Sequence, residues 1–295
     1  MHEAKISIVF PTKNRPKRVQ EMINSCLSTA QIPALIEFVI YVDMGDNSLD
    51  SIENFPGNVR IIKGYPQWLT SLYNFLATQA TGEIIMYGAD DILFVTKDWD
   101  LEVRKAFLDL EFGLGLVFPN DLSIYQGTLA THGFVTRKWI ETFGYFLPPY
   151  FPNVFTDRWV TEVAKKLNCL VYLNEVVIEH NQYRQGKSEF DSTYQNRIPG
   201  VRIRQPARTY RKLDRERRVD VLIGSFELGL KISLTRKYLL ATLIYLMFKA
   251  HFKKEERIIL LSTSNIRFFA LVYRRINKLI SYLRHKIVAY IFNRH

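Results

Sequence analysis

Two adjacent carboxylates, Asp90 and Asp91, end an apolar segment that begins at residue 83. Carboxylates held side by side in a cleft repel each other, and a bound cation is the simplest way to keep both ionised. Mg²⁺ and Mn²⁺ take oxygen ligands of this kind and bridge phosphate oxygens. The pair is therefore a candidate site for a divalent cation that holds a phosphorylated ligand.

Polar residues stand in the same place after two other apolar segments. Residues 11–15 follow the apolar run 6–10, and Asp43 follows the run 38–42. The carboxyl ends of parallel strands line one crevice, where ligands bind in open α/β sheets, so three such clusters converge on one site. Each cluster taken alone is better explained as a solvated loop, and it is their agreement that favours a shared site.

Apolar runs of strand length alternate with segments of helical spacing along the first two hundred residues. The predicted strands are 6–10, 38–42, 59–62, 83–87, 114–118 and 176–179. The predicted helices begin near Pro16, Trp68, Trp99 and Thr156. This alternation predicts an α/β fold, with an open, mostly parallel sheet and helices on both of its faces.

The chain lacks the glycine-rich loops that bind phosphates in other α/β proteins. No G-x-G-x-x-G follows the first strand and no G-x-x-x-x-G-K-[ST] occurs anywhere, which disfavours dinucleotide oxidoreductases and P-loop NTPases. The two cysteines, Cys26 and Cys169, are too few for a disulfide framework and do not form a C-x-x-C metal pair. Reduced cysteines predict a cytoplasmic location.

Three segments resemble the nucleotide-sugar-binding half of GT-A glycosyltransferases of the family-2 type. They are ISIVFPTKNRP at 6–16, YVD at 41–43 and TGEIIMYGADD at 81–91. The resemblance implies a GT-A domain over residues 1–204 that binds a nucleoside-diphosphate sugar. The nucleotide-sugar-binding residues that it implies are Pro11, Thr12, Asn14, Arg15, Asp43 (toward the base) and Asp90 (toward the ribose).

The resemblance also implies a metal site, in which Asp90, Asp91 and His180 would hold Mn²⁺ or Mg²⁺ on the diphosphate. Many members carry a first carboxylate in their D-x-D motif where this chain has Gly88, so the direct ligand among Asp90 and Asp91 stays open. In some members a histidine from the region of His180 completes the metal site, although a histidine at a strand end is more often a hydrogen-bonded surface or core residue.

Catalytic roles follow from the same resemblance. Asp157, at a predicted helix start, matches the general base of inverting members and would take the proton of an acceptor hydroxyl. An aspartate at that position is also a good helix cap, and the two roles are compatible. Lys187 would bind the nucleotide sugar and help the leaving group depart, in a loop with Asp191 and Tyr194 that closes over the diphosphate. A solvated loop explains these three residues better.

The net charge of +11 is distributed unevenly along the chain. Residues 1–199 carry 18 basic and 23 acidic side chains, a net of −5, whereas residues 200–295 carry 22 and 6, a net of +16. Apolar residues recur at helical intervals over 269–291, interleaved with cations. This predicts that residues 205–295 are a basic amphipathic helical region that binds an anionic membrane surface. The alternative is a helical extension that packs on the body with its cations solvated.

These features predict a metal-dependent glycosyltransferase that moves a sugar from a nucleoside-diphosphate sugar to a hydroxyl acceptor. A lipid-linked or cell-surface glycan is the predicted acceptor, and the inner face of a membrane is the predicted location; no apolar run is long enough to predict a conventional span. The alternatives are a DNA-modifying glycosyltransferase and a non-catalytic nucleic-acid-binding protein. The chain has no recognised nucleic-acid-binding motif, which disfavours both.

Overall fold

The computed structural model describes residues 3–52, 55–181 and 201–229. The strands in these residues are β1 (Ile6–Thr12), β2 (Ile36–Asp43), β3 (Asn58–Gly64), β4 (Ile84–Tyr87), β5 (Ile92–Phe94), β6 (Leu116–Asn120), β7 (Gly133–Thr136) and β8 (Leu170–His180). The helices are α1 (Pro16–Thr29), α2 (Leu69–Gln79), α3 (Trp99–Leu108), α4 (Arg137–Phe143), α5 (Thr156–Lys166), α6 (Val201–Lys212) and α7 (Asp214–Glu227).

The described strands form one eight-stranded sheet in the order β3-β2-β1-β4-β7-β6-β8-β5. The first four strands of this order are parallel, as is the pair β6–β8. Strand β7 runs antiparallel to both of its neighbours, and β5 runs antiparallel to β8. The predicted α/β fold with a mostly parallel sheet is confirmed, and β5 and β7 are two strands that the sequence did not predict.

Local sequence explains the elements at the centre of the sheet. Every residue of β1 except Pro11 is buried, as expected for a parallel strand covered on both faces. Helix α1 begins at Pro16, whose fixed φ suits a first helical position and whose missing N–H is not needed there. Its buried residues recur at helical spacing and face the core; they are Val19, Met22, Ile23 and Cys26.

Strand order determines which loops meet. Because β1 lies between β2 and β4, the loops that follow these three strands lie at one edge of the sheet. Strand β5 begins directly after Asp91, and its first residue, Ile92, is paired with His180 at the end of β8. The antiparallel pairing therefore places His180 beside Asp91, although the two residues are far apart in sequence.

Helix α7 packs against α4 and α5 of the main body. Its Asp220 is buried and accepts hydrogen bonds from the Tyr145 hydroxyl and from Trp159 Nε1, the latter at 2.8 Å. The Arg217 guanidinium lies 4.1 Å from the centroid of the Tyr210 ring. Within residues 205–229, the described part of the predicted basic region, α7 therefore packs against the body.

The predicted division into 1–204 and 205–295 stays a prediction. Residue 204 lies inside α6, but most of the second part, including the amphipathic pattern at 269–291, lies outside the described residues. Within the described residues, no helix combines the length and the apolar character that crossing a membrane requires.

The contacts of Asp220 lead to a stability prediction. Asp220→Ala would leave the buried Tyr145 hydroxyl without its acceptor, at about 1–3 kcal/mol, and would leave Trp159 Nε1 with the Tyr145 oxygen as its remaining acceptor. Urea denaturation should therefore show a markedly lower free energy of unfolding. Asp214→Ala is the matched control, because Asp214 on the same helix makes more exposed ion pairs worth less than about 1 kcal/mol. Equal decreases in the free energy of unfolding for the two variants would show that Asp220 does not anchor α7.

Candidate active site

The loop after β1 is tied to Asp90. Thr12 Oγ1 donates to Asp90 Oδ2 at 2.7 Å, and Arg15 Nη1 donates to Asp90 Oδ1 at 2.8 Å. All three side chains are buried. Burial and the charge of Asp91 raise the pKa of Asp90, and Arg15 and Thr12 oppose that effect. Both oxygens of Asp90 thus accept hydrogen bonds from the loop. This carboxylate therefore holds the loop after β1 in place at the edge of the sheet.

The other residues predicted to bind the nucleotide lie around the same loop. Pro11 is part of β1, directly before Thr12. The Asn14 backbone is in the left-handed region, at φ 55°, and its N–H donates to Asp46 Oδ2 at 2.8 Å. Asp43, at the end of β2, forms a 3.0 Å ion pair with Lys13 Nζ. The structure therefore brings residues 11–15, Asp43 and Asp90 together, whereas Lys187, Asp191 and Tyr194 lie outside the described residues.

The packing around Gly88 explains why this chain lacks a first carboxylate in the motif. A Cβ atom at Gly88 would lie 2.9 Å from Cγ2 of Ile8, which is buried in β1. The carbonyl of Gly88 also accepts a hydrogen bond from the Tyr73 hydroxyl. A side chain at position 88 would displace this packing, so the available carboxylates are the two that follow.

Asp91 lies with two histidines in a group that could hold a metal ion. One ligand atom each of Asp91, His132 and His180 lies within 4.8 Å of the other two, and among the described residues this is the group of three that meets that condition. His180 Nε2 is 3.4 Å from Asp91 Oδ1, and the rings of His132 and His180 meet edge to face at 4.5 Å. The backbone N–H of Asn181 donates to the Asp91 carbonyl at 2.7 Å, which extends the pairing of β5 with β8 by one hydrogen bond.

His132 is the member of this group that sequence reasoning missed. It directly precedes β7, and its side chain is buried. Burial and the neighbouring His180 lower the pKa of His132 to about 3, against the opposing charges of Asp91 and Asp121. A neutral imidazole keeps a lone pair, which is the form that binds metal ions. The local sequence signal was weak, a lone histidine before a short apolar segment.

Hydrogen bonds connect Asp157 to the end of β4, the strand that precedes Asp90 and Asp91. It lies in the first turn of α5, where its Oδ1 accepts the N–H of Arg158 at 2.8 Å. Burial raises the pKa of Asp157 above its ordinary value. The Asp157 carbonyl accepts from the Thr161 hydroxyl, which in turn accepts the N–H of Ala130 at 3.1 Å. Tyr87, at the end of β4, donates to the Ala130 carbonyl at 3.0 Å, so one network joins the predicted base to the strand before Asp90.

Comparison with known proteins identifies the first part of the chain. Residues 7–128, which include residues 11–15, Asp43, Asp90 and Asp91, match the family model described as glycosyl transferase family 2. This part of the chain is similar to a family-2 glycosyltransferase domain. This confirms the predicted family and enzyme class. No curated protein sequence matches the chain.

Solved structures are also similar to this chain. The 1–349 fragment of TarS from S. aureus, in complex with UDP-GlcNAc, is 16% identical with a TM-score of 0.54; the match covers 74% of this chain and 66% of the fragment. A structure of S. aureus TarS has 17% identity and a TM-score of 0.45, over 60% of this chain but only 36% of that one. The mannosyltransferase PcManGT from Pyrobaculum calidifontis, with GDP-Man and Mn²⁺, has 13% identity and a TM-score of 0.48, covering 92% and 87%. The similarity to the TarS fragment, at 16% identity, shows that the two proteins share the GT-A fold.

Proposed function

We propose that this glycosyltransferase is metal-dependent and moves a sugar from a nucleoside-diphosphate sugar to a hydroxyl acceptor. The observation that carries the proposal is the group of Asp91, His132 and His180 at the edge of the sheet where the loop of residues 11–15 is anchored. The complex of the TarS fragment with UDP-GlcNAc supports a nucleotide sugar as the donor class.

The donor set of this group fits a divalent transition-metal ion. Imidazoles suit transition metals better than Mg²⁺, which prefers oxygen ligands, so Mn²⁺ is the better match of the two predicted ions. Asp91, His132 and His180 would hold it, and Asp90, whose oxygens contact Thr12 and Arg15, would hold the loop instead. When bound, the ion supplies positive charge against the diphosphate oxygens of the leaving group.

Asp157 is the general base in this proposal. Its raised pKa makes it a stronger proton acceptor than an ordinary aspartate, and burial is the cause. As the acceptor oxygen attacks the anomeric carbon, its proton passes to the Asp157 carboxylate and the bond to the nucleoside diphosphate breaks. Attack from the face opposite the leaving group inverts the configuration of the sugar.

The acceptor class and the location extend the proposal further. The basic, amphipathic pattern of residues 269–291 supports an acceptor at an anionic membrane surface, as a lipid-linked or cell-surface glycan, and a location at the inner face of that membrane. In flotation assays the full chain should rise with anionic vesicles and not with neutral ones. Salt-sensitive retardation of DNA without flotation would support the nucleic-acid alternatives instead.

A donor screen tests the central part of the proposal. The full chain is incubated with UDP-, GDP- and dTDP-sugars in Mn²⁺, in Mg²⁺ and in EDTA, and release of the nucleoside diphosphate is measured. At least one donor should be turned over in Mn²⁺, more slowly in Mg²⁺ and not in EDTA. Equal turnover in EDTA would contradict the metal dependence, and failure of every donor both to react and to raise the melting temperature would contradict the donor class.

A further inference from the structure

Asp121 contacts the backbone of one histidine of the group and, through Thr131, reaches the other. It follows β6 directly and is buried. Its carbonyl accepts the backbone N–H of His180 at 3.1 Å. Its carboxylate accepts the N–H of Ser123 at 3.0 Å through Oδ1 and the hydroxyl of Thr131 through Oδ2. Asp121 therefore links the end of β8 to Thr131, the residue that precedes His132 in the loop between β6 and β7.

The tautomer of His132 follows from where the single hydroxyl proton of Thr131 goes. A threonine hydroxyl has one proton to donate, and the Thr131 proton is directed to the carboxylate of Asp121, which only accepts. Thr131 Oγ1 is also 3.4 Å from His132 Nδ1. With its proton already used, Thr131 Oγ1 can only accept in that second contact, so His132 Nδ1 carries the hydrogen. The lone pair of the neutral imidazole is then on Nε2.

We propose that Thr131 and Asp121 are positioning residues of the metal site, which fix His132 as the Nδ1–H tautomer so that its Nε2 binds the cation together with Asp91 and His180. This inference rests on the proposed function, because the cation is the one that the donor diphosphate requires. A metal-bound histidine usually donates its other ring N–H to an oxygen acceptor, and loss of that acceptor lowers metal affinity by about 10- to 100-fold. Thr131 Oγ1 would be that acceptor, and Asp121 orients it.

Two measurements on the full chain test the inference. Long-range ¹H–¹⁵N spectra of the metal-free protein report the tautomer of each imidazole, with His132 assigned through His132→Gln. Calorimetric titration with Mn²⁺ reports affinity without any need for turnover. The variants are Thr131→Val, which removes the acceptor at nearly constant volume, Thr131→Ser, which restores it, and Thr128→Val as the matched control. Thr128 is an exposed threonine of the same loop whose hydroxyl donates to the Tyr125 carbonyl.

The expected result is an Nδ1–H tautomer for His132, and a Mn²⁺ affinity that falls by about 10- to 100-fold in Thr131→Val but not in Thr131→Ser or Thr128→Val. An Nε2–H tautomer in the wild-type protein overturns the inference even if Thr131→Val does not fold. Wild-type affinity in a folded Thr131→Val also overturns it, and leaves the proposed function standing. Absence of any Mn²⁺ binding by the wild-type protein overturns both.

Discussion

Asp157→Asn is expected to lower the rate of sugar transfer by about 10²- to 10⁴-fold while donor binding is preserved, because the amide cannot accept the proton of the acceptor hydroxyl. The substitution keeps the size of the side chain and its ability to accept the N–H of Arg158. Steady-state kinetics should therefore show a reduced kcat, and calorimetric titration of the nucleoside diphosphate should show an unchanged affinity.

The pH dependence follows from the raised pKa of Asp157. Transfer by the wild-type enzyme should fall as the pH decreases through that pKa, which lies above the value of about 3.9 for a free aspartate. Because the pKa is higher in the folded than in the unfolded state, ionisation of Asp157 favours unfolding above the unfolded-state pKa. Asp157→Asn removes this effect, so its melting temperature at neutral pH should equal or exceed that of the wild type.

Asp109→Asn serves as the control for Asp157, because Asp109 is an exposed carboxylate at the end of α3. It should leave kcat, donor affinity and melting temperature unchanged. Near-normal transfer by Asp157→Asn would remove this residue as the base. A lowered melting temperature together with lost donor binding would instead assign Asp157 to stabilising the first turn of α5.

Asp91→Asn is expected to lower Mn²⁺ affinity by about 100-fold or more without unfolding the protein, because Asp91 is the carboxylate that lies with His132 and His180. Asp90→Ala should instead destabilise the fold. It removes the carboxylate that contacts both Thr12 and Arg15, and loss of one partner from a buried ion pair costs about 3–5 kcal/mol. Mn²⁺ titrations and urea denaturation of the two variants separate these effects.

The control for this pair is Asp50→Asn, which removes a carboxylate from a more exposed ion pair with Lys63. Neither Mn²⁺ affinity nor the free energy of unfolding should change by more than the roughly 1 kcal/mol of a surface pair. If Asp90→Ala folds normally and loses Mn²⁺ binding while Asp91→Asn keeps it, the two carboxylates have the opposite roles.

Much of the fold was predictable because its central strands are continuous apolar runs. Strands buried on both faces, such as β1 and β2, are apolar along most of their length, which makes them visible in sequence. Strands β5 and β7 have three and four residues, too few for a period to emerge, and their antiparallel pairing depends on partners distant in sequence.

The site was predictable to the extent that it lies at the ends of parallel strands. The loop of residues 11–15, Asp43 and Asp90 meet because β1, β2 and β4 are neighbours, a consequence of strand order. His132 reaches the group through β7, an antiparallel strand that the sequence did not reveal. Asp90 contacts Arg15, and Asp91 lies with the histidines because Ile92 is paired with His180 in the sheet. This pairing joins residues far apart in sequence, so spacing along the chain does not predict it.

Pulsed electron paramagnetic resonance of the Mn²⁺-loaded full chain can show whether the two histidines bind the ion, because it detects ¹⁴N nuclei bonded to Mn²⁺. The wild-type protein should show nitrogen couplings from directly bound imidazole. These should weaken in His180→Gln and vanish when His132→Gln is added. Bound Mn²⁺ whose spectrum shows oxygen ligands and no nitrogen coupling would contradict the assignment of the cation to Asp91, His132 and His180.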